Sequence, residues 1–123
     1  MKRTLALAVG WAGLALAGAA AAGEADVLDV KVQREPAGTW RFAVTLRHAD
    51  EGLKHYADRW EVVAPDGKVL ATRVLEHPHV KEQPVTRSLA GVKIPAGVKR
   101  VTVRAHDKVH GAGGKELTIE LPR

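Results

Sequence analysis

The sequence holds no cysteine, and its one methionine is Met1. Without cysteine there is no disulfide, no thiolate ligand and no cysteine to carry a lipid after an export signal. Beyond Met1 the chain contains no sulfur, which excludes thiolate and thioether sites for Cu(I) and blue-copper centres. Ser88 is the only serine, and it falls in a segment that reads as a strand, with no base beside it in sequence. No paired-carboxylate motif is present either. Covalent mechanisms have little to work with, and the chain is not expected to be an enzyme. Basic runs are missing too. Lys and Arg alternate with Asp and Glu, whereas a nucleic-acid footprint needs a basic stripe; no nucleic-acid partner is expected.

Long apolar runs are confined to the N-terminus. Lys2 and Arg3 precede the apolar stretch Leu5 to Leu16, and a tail of small residues follows from Ala17 to Gly23. This is the layout of a secretory signal peptide, with Ala20-Ala21-Ala22 as a cleavage site. The competing reading is a membrane anchor. The apolar stretch is short for that, since a span takes roughly 20 residues, and the dense small-residue tail is what signal peptidase needs. Residues 1–22 are therefore expected to be removed, leaving residues 23–123 as one domain in the periplasm or secreted, with no stable membrane span. Loss of Lys2 and Arg3 lowers the formal net charge from +5 to +3. About 100 residues can bury an adequate core without covalent staples.

What the remaining chain does have is alternation of apolar and polar residues with a period of two, broken by turn residues, which is the pattern of strands. Leu28, Val30 and Val32 alternate with Asp29, Lys31 and Gln33. Trp40, Phe42, Val44 and Leu46 alternate with Arg41, Ala43, Thr45 and Arg47. Trp60, Val62 and Ala64 lead into Pro65-Asp66-Gly67-Lys68, a tight turn that closes a hairpin with Val69 to Leu75. Val85 to Ile94 reads as extended, followed by Val101 to Ala105 and by Leu117, Ile119 and Leu121. Seven short strands without a convincing helix predict an all-β, seven-stranded immunoglobulin- or fibronectin-III-like β-sandwich, with Trp60 in its core. A small Greek-key barrel is the alternative.

In such a sandwich the odd and even connections gather at opposite poles. The first, third and fifth are the plain turns Pro36-Ala37-Gly38, Pro65-Asp66-Gly67 and Pro95-Ala96-Gly97. The second carries His48, Asp50, Glu51, His55, Tyr56 and Asp58; the fourth Glu76, His77, His79 and Glu82; the sixth His106, Asp107 and His110. All six histidines thus belong to one pole. His77 and His79 flank Pro78, and an extended stretch turns both rings to one side. His106 ends a strand, and His110 lies in a loop able to fold back. Imidazoles and carboxylates from different loops can form a site for Cu(II), Zn(II) or Ni(II). The expected ligands are His77, His79, His106 and His110, with His48 and His55 as second choices. Such binding would weaken below about pH 6 as the imidazoles protonate. Asp107 reads as ordering its loop, and Gly111, Gly113 and Gly114 as permitting a tight turn.

The phrases His55-Tyr56-Ala57-Asp58 with Trp60-Glu61-Val62, then His77-Pro78-His79-Val80, Glu82-Gln83-Pro84, and Ala105-His106-Asp107 with Val109-His110-Gly111 span Lys54 to Gly114. They resemble a group of small exported bacterial β-sandwich proteins to which no function is assigned. The resemblance implies export and an all-β fold, and carries over no catalytic residue. The leading expectation is a periplasmic, non-enzymatic domain binding a transition metal, Cu(II) or Zn(II), through its His-rich pole. The alternative is a protein-interaction module whose partner is another periplasmic protein, with structural histidines and no metal. A hydrolase would need a deep pocket at the same pole.

Overall fold

The computed structural model describes residues 25–48, 55–76 and 83–122; residues 1–22 and both His77 and His79 lie outside them. Within the described residues there are seven strands and no helix: β1 Asp26–Arg34, β2 Trp40–Arg47, β3 Ala57–Val63, β4 Val69–Val74, β5 Val85–Val92, β6 Arg100–Asp107 and β7 Leu117–Glu120. No helix there is long and apolar enough to cross a membrane. The strands form two sheets, ordered β1-β2-β5 and β4-β3-β6-β7. Every pairing is antiparallel.

Alternation decides what fills the space between the sheets. Trp40, Phe42, Val44 and Leu46 on β2, and Val101, Val103 and Ala105 on β6, are each no more than 3% exposed. Trp60 and Val62 of β3 join them in one cluster with Val27 of β1. A buried Trp or Phe removes roughly 150–250 Å² from water. At about 25 cal/mol per Å², that is roughly 4–6 kcal/mol of gross driving force for each ring.

β1 departs from the expected alternation in one place. Val27 pairs with Leu46 and Asp29 with Thr45, so Leu28 is an extra residue in a β-bulge. Val27 is fully buried while Leu28 is only partly so. Val30 and Val32 then pack against the core from the other parity. The bulge lets a strand with two hydrophobic phases keep both on one face.

On the outer face of the larger sheet, Glu61 lies opposite Arg104 in the β3–β6 pairing. Arg104 Nε donates to Glu61 Oε1 at 2.8 Å, and Arg59 Nε to Oε2 at 3.1 Å. Burial pushes the Glu61 carboxyl up; the two guanidinium bonds and charges outweigh it and hold the group below the usual carboxylate range.

The two ends of the strands differ among the described residues. The turns at Glu35–Thr39, Ala64–Lys68 and Pro95–Val98 close on their own backbone hydrogen bonds. At the other pole the ends of β2, β4 and β6 meet the starts of β3 and β5, through the pairs Ala57↔Asp107, Arg59↔Val74 and Leu46↔Val85.

Candidate metal centre

β6 places its odd residues inward: Val101, Val103 and Ala105 are buried, and Asp107 continues the series with no exposed surface at all. β2 places its even residues inward, and His48, one step beyond Arg47, is 2% exposed. His55 lies one inward step before the buried Ala57, which pairs with Asp107. Three chain segments therefore deliver a carboxylate and two imidazoles to the same end of the core: Asp107 and His48 extend the alternation of β6 and β2, and His55 enters from the segment before β3, where Tyr56 and Ala57 are both buried.

Side-chain contacts follow from that placement. His48 Nε2 bonds directly to Asp107 Oδ2. His55 Nε2 approaches the same oxygen at 2.8 Å, and His110 Nδ1 at 3.3 Å. The rings pack on one another, His48 edge-on to His55 with centroids 4.9 Å apart and His55 tilted against His110 at 5.1 Å. The ligand atoms of His48, His55 and Asp107 all lie within 4.8 Å of one another.

The two carboxylate oxygens of Asp107 do separate work. Oδ1 accepts the backbone N–H groups of Val109 and His110, at 2.5 and 2.9 Å. Those bonds shape the turn after β6, which closes through reciprocal backbone bonds between Asp107 and Gly111, both 3.0 Å. Gly111 has φ +71°, a left-handed conformation that favours glycine over side-chain-bearing residues. Oδ2 faces the three imidazoles. Burial pushes the Asp107 carboxyl up, but the two backbone N–H groups and the His48 and His110 rings hold it well below the usual carboxylate range. The group is therefore an anion at neutral pH, and a buried anion needs such partners.

His106 is placed elsewhere. Its neighbour Asp107 points inward, so His106 points outward, where its Nδ1 lies 2.6 Å from Asp58 Oδ1. Asp58 is itself the extra residue of a bulge, since Ala57 pairs with Asp107 and Arg59 with His106. Of the four histidines expected first as ligands, His110 joins the cluster and His106 does not; His77 and His79 fall outside the described residues. His48 and His55, expected second, form the cluster with Asp107. The signal for Asp107 and His48 was the parity of β6 and β2 carried one step past the last apolar residue.

The glycine-rich segment after β6 has a packing role as well. A Cβ on Gly114 would stand 2.0 Å from the Ala25 carbonyl oxygen and 2.8 Å from Asp26 Oδ1. That close approach lets Lys115 N donate to Asp26 Oδ1 and Lys115 O accept from Val27 N.

Comparison with known proteins adds one relative. Over 97 residues the sequence is 40% identical to a protein of Halomicrobium mukohataei named "Putative lipoprotein". The match takes in 79% of this chain and 47% of that protein, so the chain spans about half the length of the relative. No family model matches the chain. No solved structure matches it.

Proposed function

We propose that this chain is an exported, non-enzymatic β-sandwich domain that binds one divalent transition-metal ion, Cu(II) or Zn(II), at its histidine pole. The observation that carries the reading is the convergence of three imidazole nitrogens, from three segments, on one oxygen of a fully buried carboxylate. One oxygen has about two lone pairs for ordinary hydrogen bonds. Three nitrogens around it suit a cation, which would take His48, His55 and Asp107 as ligands, with the His110 ring, 3.3 Å from the same oxygen, turning in as a fourth and looser donor. All donors are imidazole or carboxylate, which suits Cu(II), Zn(II) or Ni(II). Donors around a tetrahedral ion with bonds of about 2.0–2.1 Å stand about 3.3 Å apart. The His110 distance already matches; the His48 and His55 rings would draw back by roughly an ångström or less.

The strand order supports the sandwich. It follows the immunoglobulin arrangement of first, second and fifth strands against third, sixth and seventh, except that β4 lies beside β3 and not beside β5. That exchange of one edge strand favours the fibronectin-III-like form of the reading. Export, to the periplasm or beyond, is supported by the basic, apolar and small-residue layout of residues 1–22. The lipoprotein name of the relative agrees with it.

A second reading has its own support. His55 already stands at direct hydrogen-bonding distance from Asp107, 2.8 Å, with no room for an ion between them. On that reading the histidines cap the core end, and the pole serves as a docking surface for another periplasmic protein. Calorimetric titration of the purified protein, free of any histidine tag, with Cu(II), Zn(II) and Ni(II) separates the two. One-to-one binding below micromolar, lost in the His48→Ala/His55→Ala double variant, is the outcome expected. Absent binding, or binding that the double variant keeps, would return the histidines to structural duty.

A further inference from the structure

The four side chains of the cluster are not equally held. The side chain of Asp107 is fully buried and that of His48 is 1% exposed, whereas His55 is 16% and His110 38% exposed. An ion seated on Asp107 Oδ2 would be sealed on the His48 side and reachable past His110. Backbone support runs in the same order. Asp107 belongs to β6 and pairs with Ala57. The backbone N–H of His48 donates to Gln83 Oε1 at 2.9 Å. His110 rides on the turn between Asp107 and Gly111, outside any strand, and its nitrogen is the most distant of the three.

The turn itself does not depend on the His110 ring. Asp107 Oδ1 holds the turn through the backbone N–H groups of Val109 and His110, while the ring addresses Oδ2. Rotation about the His110 side-chain bonds withdraws Nδ1 from the site and leaves the backbone bonds in place. The cost is a rotamer change in a partly exposed side chain, not a rearrangement of the fold.

Resting on the metal-binding reading above, we infer that His110 is the exchangeable ligand of the site, replaced by an incoming imidazole donor while Asp107 and His48 keep hold of the ion. In the exchange step the bond from His110 Nδ1 to the ion breaks as a bond from the incoming imidazole nitrogen forms. The ion keeps its charge, and neither proton nor electron is required. A metal that served only to pin the fold would be enclosed on all sides with no replaceable donor. Here one donor of the set stands at the surface on a turn that holds its shape without it.

The test loads the purified protein with one equivalent of Cu(II), follows release to excess EDTA by stopped flow, and records the electron paramagnetic resonance spectrum with and without added imidazole. For His110→Ala, the expected result is one-to-one binding within about tenfold of wild type, release at least about tenfold faster, and uptake of one imidazole that restores the wild-type spectrum. His48→Ala should lose at least about 100-fold in affinity without rescue, because its position is closed to solvent. His55→Ala supplies the same comparison should the His48 variant not fold. Equal losses in His110→Ala and the other variants would make His110 a fixed ligand and overturn the inference. So would an unchanged release rate with no imidazole uptake, leaving metal binding itself intact. Failure of the wild type to take up Cu(II) would instead remove the metal reading, and the inference with it.

Discussion

Asp107 and His48 stand 59 residues apart on facing sheets, and their side chains bond inside the core end, where neither residue is more than 2% exposed. The contact ties the end of β6 to the end of β2 across the space between the sheets. It does so with an anion where the strands would otherwise continue with an apolar residue.

Removing that anion should therefore be costly whether or not a metal binds. Asp107→Ala strips the acceptor from two backbone N–H groups and three imidazoles, and a loss of about 3–5 kcal/mol is expected, as for other broken buried polar clusters. Asp107→Asn keeps one acceptor oxygen for the turn and should lose less. His110→Ala, in a partly exposed position, should lose under about 1 kcal/mol. Urea unfolding of the metal-free proteins ranks the three.

Glu61 makes a prediction about acid. Its carboxyl is held below the ordinary range in the folded protein, so the unfolded chain takes up the proton first. The stabilisation is complete above the unfolded carboxylate pKa of about 4.3 and fades as pH falls through the folded value. Glu61→Gln should thus be less stable than wild type at pH 7, by on the order of 1 kcal/mol given its partial exposure. The difference should shrink towards zero near pH 3. Thermal melts of both proteins across pH 3–7 check the sign.

Gly114 has no room for a side chain. The Ala25 carbonyl would lie 2.0 Å from a Cβ there, and backbone on both sides must move to relieve it. Gly114→Ala should destabilise by about 1–3 kcal/mol, as overpacking does, and should speed amide exchange at Val27 and Lys115, whose mutual bond depends on that approach.

Trp60 and Phe42 are both fully buried but should respond differently. The Trp60 Nε1 group has no hydrogen-bond partner among the described residues. Trp60→Phe gives up ring volume without breaking a hydrogen bond and should cost about 1–2 kcal/mol. Phe42→Ala opens a cavity between the sheets and should cost about 3–5 kcal/mol. Denaturant midpoints for the two variants measure the contrast.

The strands, the poles and the burial of Trp60 were legible in sequence because period two and Pro/Gly turns are local signals. Bulges are not. Nothing in the composition around Leu28 or Asp58 marks an extra residue, yet the first shifts the core phase of β1 and the second turns Asp58 towards His106. Of the histidines expected at one pole, the described four, His48, His55, His106 and His110, stand at one end of the strands, but their pairing was not visible. His106 and Asp107 are neighbours in sequence and so face opposite sides of a strand, which separates them chemically. His48 and Asp107 looked like loop residues because they are polar, although strand parity carried both inward. Polarity at a strand end competes with parity, and here parity prevailed because the two groups satisfy each other.

The contrast between the poles has a practical consequence. Strands of about eight residues at about 3.3 Å each set the turn at Pro95–Val98 roughly 26 Å from the histidines. That turn closes through a backbone bond, Val98 N to Pro95 O. It is a natural attachment point: a fluorophore, a surface linker or an inserted peptide placed there would leave the histidine end facing outward. Immobilised in that orientation, the protein would offer its histidine end to whatever flows past.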